Sequence, residues 1–117
     1  MPDAQRVQRV QLDGRRIADW PGFHRESRQA FGFPDFYGNN LSAWIDCLSS
    51  LRGDGEEEGM SRFLLGPDEC LAIEVLHADV LERNAPHIAE ALRDAVDDVN
   101  ERFTESGEKP ALNLVFR

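Results

Sequence analysis

The feature that most constrains this chain is a long amphipathic period set between two β-like runs. From Pro86 to about Glu105, the residues Ile88, Leu92, Ala95, Val96, Val99 and Phe103 fall in one sector, about 100° wide, of a helical wheel. Glu90, Asp94, Asp97, Asp98, Glu101 and Glu105 fill a second sector, roughly opposite. The spacing predicts a helix capped by Asn84, with Pro86 near its start, stopped by Gly107 and kept from resuming by Pro110. CLAIEVL (70–76) precedes this helix and ALNLVF (111–116) follows it. Strands separated by helices favour a parallel core sheet that the helices cover.

The upstream half fits the same plan. Arg6–Leu12 reads as a strand, Asp13-Gly14 as a turn, and Ile17 packs as the chain leaves it. Asp19 is the expected N-cap of a helix over Trp20–Ala30, with Pro21 in its first turn and Trp20, Phe23, Ser27, Ala30 and Phe31 near one side. Gly32 and Pro34 end it, and the chain turns through Asp35-Phe36-Tyr37-Gly38-Asn39. Asn40 caps a second helix with Leu41, Trp44, Ile45, Leu48 and Leu51 in one sector and Ser42, Asp46, Ser49 and Ser50 opposite, closed by Gly53 as a C′ glycine. GDGEEEG (53–59) reads as an acidic solvated loop. MSRFLLG and CLAIEVL, joined by Pro67-Asp68-Glu69, read as an antiparallel hairpin, and His77–Arg83 as a short helical turn. The order β, α, α, hairpin, α, β describes a single α/β domain over residues 1–117.

Charge narrows the partners. A net charge of −9 argues against nucleic acid or an anionic membrane as the direct partner and suits a basic one, although an acidic surface also serves solubility. No apolar run is long enough to span a bilayer, and MPDAQRVQRVQLDG lacks the apolar core of a secretory signal. With two cysteines, Cys47 and Cys70, read as reduced and buried, cytoplasm is the expected compartment.

The chemistry of catalysis is thinly represented. His24, His77 and His87 lie far apart, and neither cysteine has a second ligand nearby, so no metal is expected. There is no neutral or basic glycine-rich phosphate loop and no G-x-S-x-G elbow. Neither a cofactor nor an enzymatic activity is expected. Two constellations remain. One is Asp46 among serines on a small-residue helix side, beside Phe36, Tyr37 and Gly38, where aromatics could anchor a partner and the carboxylate enter a cationic pocket. The other is the acidic stripe of the long helix, whose like charges repel at i,i+4 spacing and are offset in part by Arg93 and Arg102. Residue types alone favour the plainer alternative for each: solvated helix sides, with Phe36 and Tyr37 plugging the core.

The run F-P-D-F-Y-G-N-N-L-S-A-W-I-D-C-L (33–48) resembles the corner-and-helix signature of the barstar family, the intracellular inhibitors of barnase-type ribonucleases. Pro34, Asp35, Tyr37, Gly38, Asn40, Leu41, Asp46, Cys47 and Leu48 carry the likeness. It implies a three-stranded parallel sheet packed by helices, with Gly53–Glu69 as an insertion adding a hairpin strand. It implies no catalysis, no cofactor, and a partner in a basic ribonuclease or nuclease toxin, with the protein a monomer when free. The helix carboxylate, here Asp46, would take the place of a substrate phosphate. Glu101 and Glu105 would assist, and Phe36, Tyr37, Gly38, Asn40, Ser42, Ser49 and Ser50 would complete the face. Ser42 stands where the family has a second helix acid, and Phe36 lacks a hydroxyl found in the prototype. Those departures leave open a module of the same fold that regulates a partner other than a nuclease.

Overall fold

CLAIEVL forms the middle of the sheet. In the computed structural model, which describes residues 6–35, 37–52 and 61–117, β1 (Arg6–Asp13) and β3 (Leu112–Phe116) flank β2 (Glu69–Leu76), and both pairings are parallel. Val10 lies opposite Ile73 and Leu12 opposite Val75; across the other edge Leu71 meets Leu112 and Ile73 meets Leu114. Side chains alternate in a strand, so this register sends Val10, Leu12, Leu71, Ile73, Val75 and Leu112 into one core. On the other face Glu74 is also buried. Its carboxylate takes hydrogen bonds from Arg117 (2.7 Å) and Gln11 (3.4 Å), which pull its pKa down.

The helices are α1 (Trp20–Phe31), α2 (Leu41–Leu48), α3 (Ala78–Asn84) and α4 (Pro86–Glu105). All six apolar positions of the long period are buried in α4. Asp19 caps α1 by accepting from the Gly22 amide at 2.8 Å, and Gly107, with φ of +81°, follows the end of α4. Asn84 does not cap α4: it ends α3, and the buried Ala85 holds the junction at φ of −144°, outside the helical region, as a residue before proline must.

Two further expectations fail for physical reasons. Residues 61–66 are not a strand, because β2 already spends both edges on β1 and β3. The segment is tied instead to other backbone, Arg62 N to Phe31 O (2.8 Å) and Leu65 N to Leu51 O (2.7 Å). Its alternation seats Phe63 and Leu65 in the core and leaves Leu64 exposed. The second helix stops at Leu48 rather than running on to Leu51. The Ser49 and Ser50 hydroxyls donate to the carbonyls of Ile45 (2.6 Å) and Cys47 (2.7 Å), and the amides of Ser50 and Leu51 bond three residues back. Leu51 is still fully buried; Gly53 lies outside the described residues.

Candidate protein-binding face

The corner between α1 and α2 is fixed from inside by aromatic packing. Phe33 stacks on Phe31 with ring centroids 5.2 Å apart and lies 4.7 Å from the Tyr37 ring. The Trp44 ring meets Phe31 edge-on, and its indole N–H donates to Ser27 Oγ at 3.3 Å. The Tyr37 amide closes the turn on the Pro34 carbonyl, and its hydroxyl shares a 2.6 Å hydrogen bond with His24 Nδ1. Burial raises the pKa of Tyr37 and lowers that of His24, so both are neutral at pH 7. Tyr37 is thus a core residue that sets the corner, not an anchor displayed at its edge. Phe36 lies outside the described residues.

The outer surface of the corner is polar. Gly38, Asn39, Asn40, Ser42 and Asp46 are exposed. Asn40 uses both ends of its amide, Oδ1 accepting from the Ala43 amide (2.8 Å) to cap α2 and Nδ2 donating to the Gly38 carbonyl (3.1 Å). A Cβ on Gly38 would come within 3.1 Å of that Nδ2, so the glycine leaves room for the cap. On α2, Trp44, Cys47 and Leu48 point inward while Ser42 and Asp46 point out. Ser49 and Ser50, expected on the same outer side, lie past the helix end and are half-buried. Burial, aided by the neighbouring Asp46 charge, raises the pKa of the Cys47 thiol, the opposite of what a nucleophile needs.

The acidic stripe of α4 is exposed throughout, and α4 packs beside α2 on the flank that carries Arg102. Asn100 marks the other flank: its side chain accepts from the amides of Ala111 (3.0 Å) and Leu112 (2.8 Å) and donates to the Leu112 carbonyl, facing β3. Arg102 reaches the opposite way. Its Nη1 donates to Asp46 Oδ1 at 2.8 Å and to Ser49 Oγ at 3.2 Å. On an ideal helix Asp98 and Glu105 lie about 40° and 60° further round from Arg102, and Glu101 about 100°. Of the two expected acids, Glu105 therefore stands closer to α2 than Glu101, and Asp98 is closer still. Arg93 turns away to Glu82 of α3 (2.7 Å). The sequence placed Arg102 beside the stripe; its reach to Asp46, 56 positions away, has no signal in helical spacing.

Asp46 is open to solvent. A cavity of about 600 Å³, lined by Trp20, Pro21, Arg25, Arg28, Phe33 and Asn39 among others, lies on the α1 side of the corner. Neither it nor the smaller cavity of about 300 Å³ at Asn39–Leu41 includes Asp46, whose side chain is 64% exposed. Among the described residues no group of three or more His, Cys, Asp or Glu could hold a metal ion, and no helix is long and apolar enough to cross a membrane. Asp46 thus stands on the exposed side of a short helix, with the exposed Ser42 one turn before it. Neither of these two cavities gives it the concave surroundings that chemistry on a small substrate uses.

The sequence matches the family model described as Barstar (barnase inhibitor) over residues 7–115, nearly the whole chain, and the protein belongs to the barstar family. No curated protein matches it. Members of this family are inhibitors that bind barnase-type ribonucleases, not enzymes. The α/β architecture with its three-stranded parallel sheet is consistent with that family; the added hairpin strand is not present among the described residues.

Proposed function

We propose that this protein inhibits a basic ribonuclease of the barnase type, as an antitoxin or immunity protein acting in the cytoplasm, by covering the active site with the α1–α2 corner and α2. Asp46 would occupy the place of a substrate phosphate. The observation that carries this reading is the environment of Asp46 itself. This exposed carboxylate already accepts a charge-assisted bond from a guanidinium at 2.8 Å, the type of contact that arginines of a phosphate-binding cleft make. Gly38 and Asn40 of the corner and Ser42 of α2 are exposed and add little bulk, and the exposed acids Asp98, Glu101 and Glu105 of α4 draw a cationic partner in. The net charge of −9 makes the encounter fast and salt-sensitive.

Ser42 favours a second reading. It is exposed on the same helix where the family pattern places another acid, which suits a partner with a less cationic surface, outside the nucleases. One experiment separates the two. The protein is immobilised, a basic ribonuclease encoded beside it is captured, and cleavage of an oligoribonucleotide is followed with added wild-type protein or Asp46→Ala. Inhibition by the wild type that is weakened by at least tenfold in the variant supports the active-site plug. Equal inhibition by both refutes it.

A further inference from the structure

Asp46 is not free to meet a partner's cation. The Arg102 guanidinium already holds one of its oxygens, and the same nitrogen spans to Ser49 Oγ, so α4 supplies a cation where the plug model expects the partner's. We infer that Arg102 is a specificity-determining residue of this face: it masks Asp46 in the free protein, and a partner must displace it. The inference rests on the reading of Asp46 as the phosphate mimic.

The contact is built to exchange. Arg102 donates through Nη1 alone to the carboxylate rather than by a two-pronged grip, and both partners are about half or more exposed, at 51% and 64%. The arginine also has somewhere to go. Asp98, four residues earlier, and Glu105, three residues later, lie on its own helix, and neither has an ion-pair partner among the described residues. Swinging from Asp46 to these acids keeps the charge neutralised while uncovering the carboxylate.

The selectivity follows from competition. A partner cation approaching the other Asp46 oxygen meets the positive charge of Arg102 at close range and is repelled. A single surface lysine or arginine offers Asp46 no more than it already has and leaves that repulsion in place. A cleft with two or more converging cations offers more than Arg102 does, which is the arrangement that binds phosphate. Arg102 thereby discriminates against basic proteins in general, a need created by the surrounding acidity.

The test combines Arg102→Met, Asp46→Asn and the double variant, with Arg93→Met as a control for the loss of one positive charge from α4. Association and dissociation are measured against a purified barnase-type ribonuclease. Arg102→Met is expected to bind about two- to fivefold tighter, beyond any gain shown by Arg93→Met, and that excess should vanish in the Asp46→Asn background. Equal or weaker binding by Arg102→Met, or an excess that survives Asp46→Asn, overturns the inference. If Asp46→Asn itself leaves affinity unchanged, the plug reading fails instead. A readout without partner guards against that outcome: in the free protein, the ¹⁵N-detected rotation of the Arg102 guanidinium should be slowed in the wild type and quicken in Asp46→Asn. A guanidinium that rotates equally fast in both would show that the mask does not exist.

Discussion

Tyr37→Phe separates a displayed aromatic from a buried one. The ring of Tyr37 packs against Phe33, and its hydroxyl shares a 2.6 Å hydrogen bond with His24 Nδ1 in the core. Phenylalanine keeps the ring, so no cavity opens. What is lost is one buried hydrogen bond, together with the pairing of His24 Nδ1. A hydrogen bond of this kind contributes about 1 kcal/mol net, and a buried nitrogen left without a partner costs about 1–3 kcal/mol, so a destabilisation of about 2 kcal/mol is expected. At a urea dependence of about 2 kcal/mol per molar, the unfolding midpoint falls by about 1 M. Trp20 and Trp44 lie in or beside this aromatic cluster and report the transition by fluorescence. Because the hydroxyl faces inward, affinity for a ribonuclease partner should change by less than about threefold, well short of the Asp46→Ala effect. An unchanged midpoint would remove the hydrogen bond from the account of the corner. An unchanged midpoint with affinity lost as in Asp46→Ala would return Tyr37 to the surface and refute the packing argument.

Other consequences follow from single groups. Burial holds the folded-state pKa of His24 below its unfolded value of about 6.5, so the unfolded chain binds the extra proton first. The stability tied to neutral His24 is complete above that value and is lost as pH falls through the lower folded pKa; melting temperature should drop between pH 7 and pH 5, and His24→Gln should flatten the drop. Gly14→Ala and Gly107→Ala contrast two mechanisms. A Cβ at Gly14 would sit 2.7 Å from the carbonyl oxygens of Leu76 and His77, backbone that cannot turn aside, so a loss of about 2 kcal/mol or more is expected. A Cβ at Gly107 meets nothing within 4 Å, and only its left-handed φ of +81° is penalised, by about 1 kcal/mol. Equal midpoints for the two variants in urea would show that the close approach at Gly14 is relieved by movement of the strand end.

How much of this was readable in advance depended on whether the deciding contact was local. The α4 period and its Gly107 stop follow from spacing and backbone chemistry within one element, and the parallel sheet from the alternation of elements. The Ser61–Gly66 run misleads because alternation records which side chains reach a core, not whether the backbone pairs; Phe63 and Leu65 reach it from a loop. The end of α2 misleads because the hydroxyls of Ser49 and Ser50 compete for helix carbonyls, a contest that apolar spacing does not register. In the corner, the family signature marks Tyr37, Gly38, Asn40 and Asp46 together without distinguishing the buried residue that shapes the corner from the exposed ones. That sorting depends on α1, through His24, and on α4, through Arg102, both distant in sequence.

Charge and contact are divided between elements in a way that bears on how such a face would work. Residues 1–35 carry six basic and five acidic side chains, while residues 36–117 carry seven basic and seventeen acidic, so the attraction felt by a cationic partner comes from the second part, not from α1. Within the described structure the flank of α4 beside α2 is where that acidity meets the corner. Exchanging Arg102 for a partner's cation at Asp46 replaces one exposed pair with another and is nearly neutral by itself, since exposed pairs contribute only about 0–1 kcal/mol. Net affinity must then come from what happens around the exchange: exclusion of water from Asp46 once a cleft closes over it, and close approach across Gly38 and Ser42. Long-range acids such as Asp98 and Glu105 would act earlier, on the rate of encounter, and lose their effect as salt screens them. On the proposed reading, the single carboxylate of α2 would select among partners that the stripe of α4 has already attracted, and Arg102, which reaches from α4 to Asp46, would join the two steps.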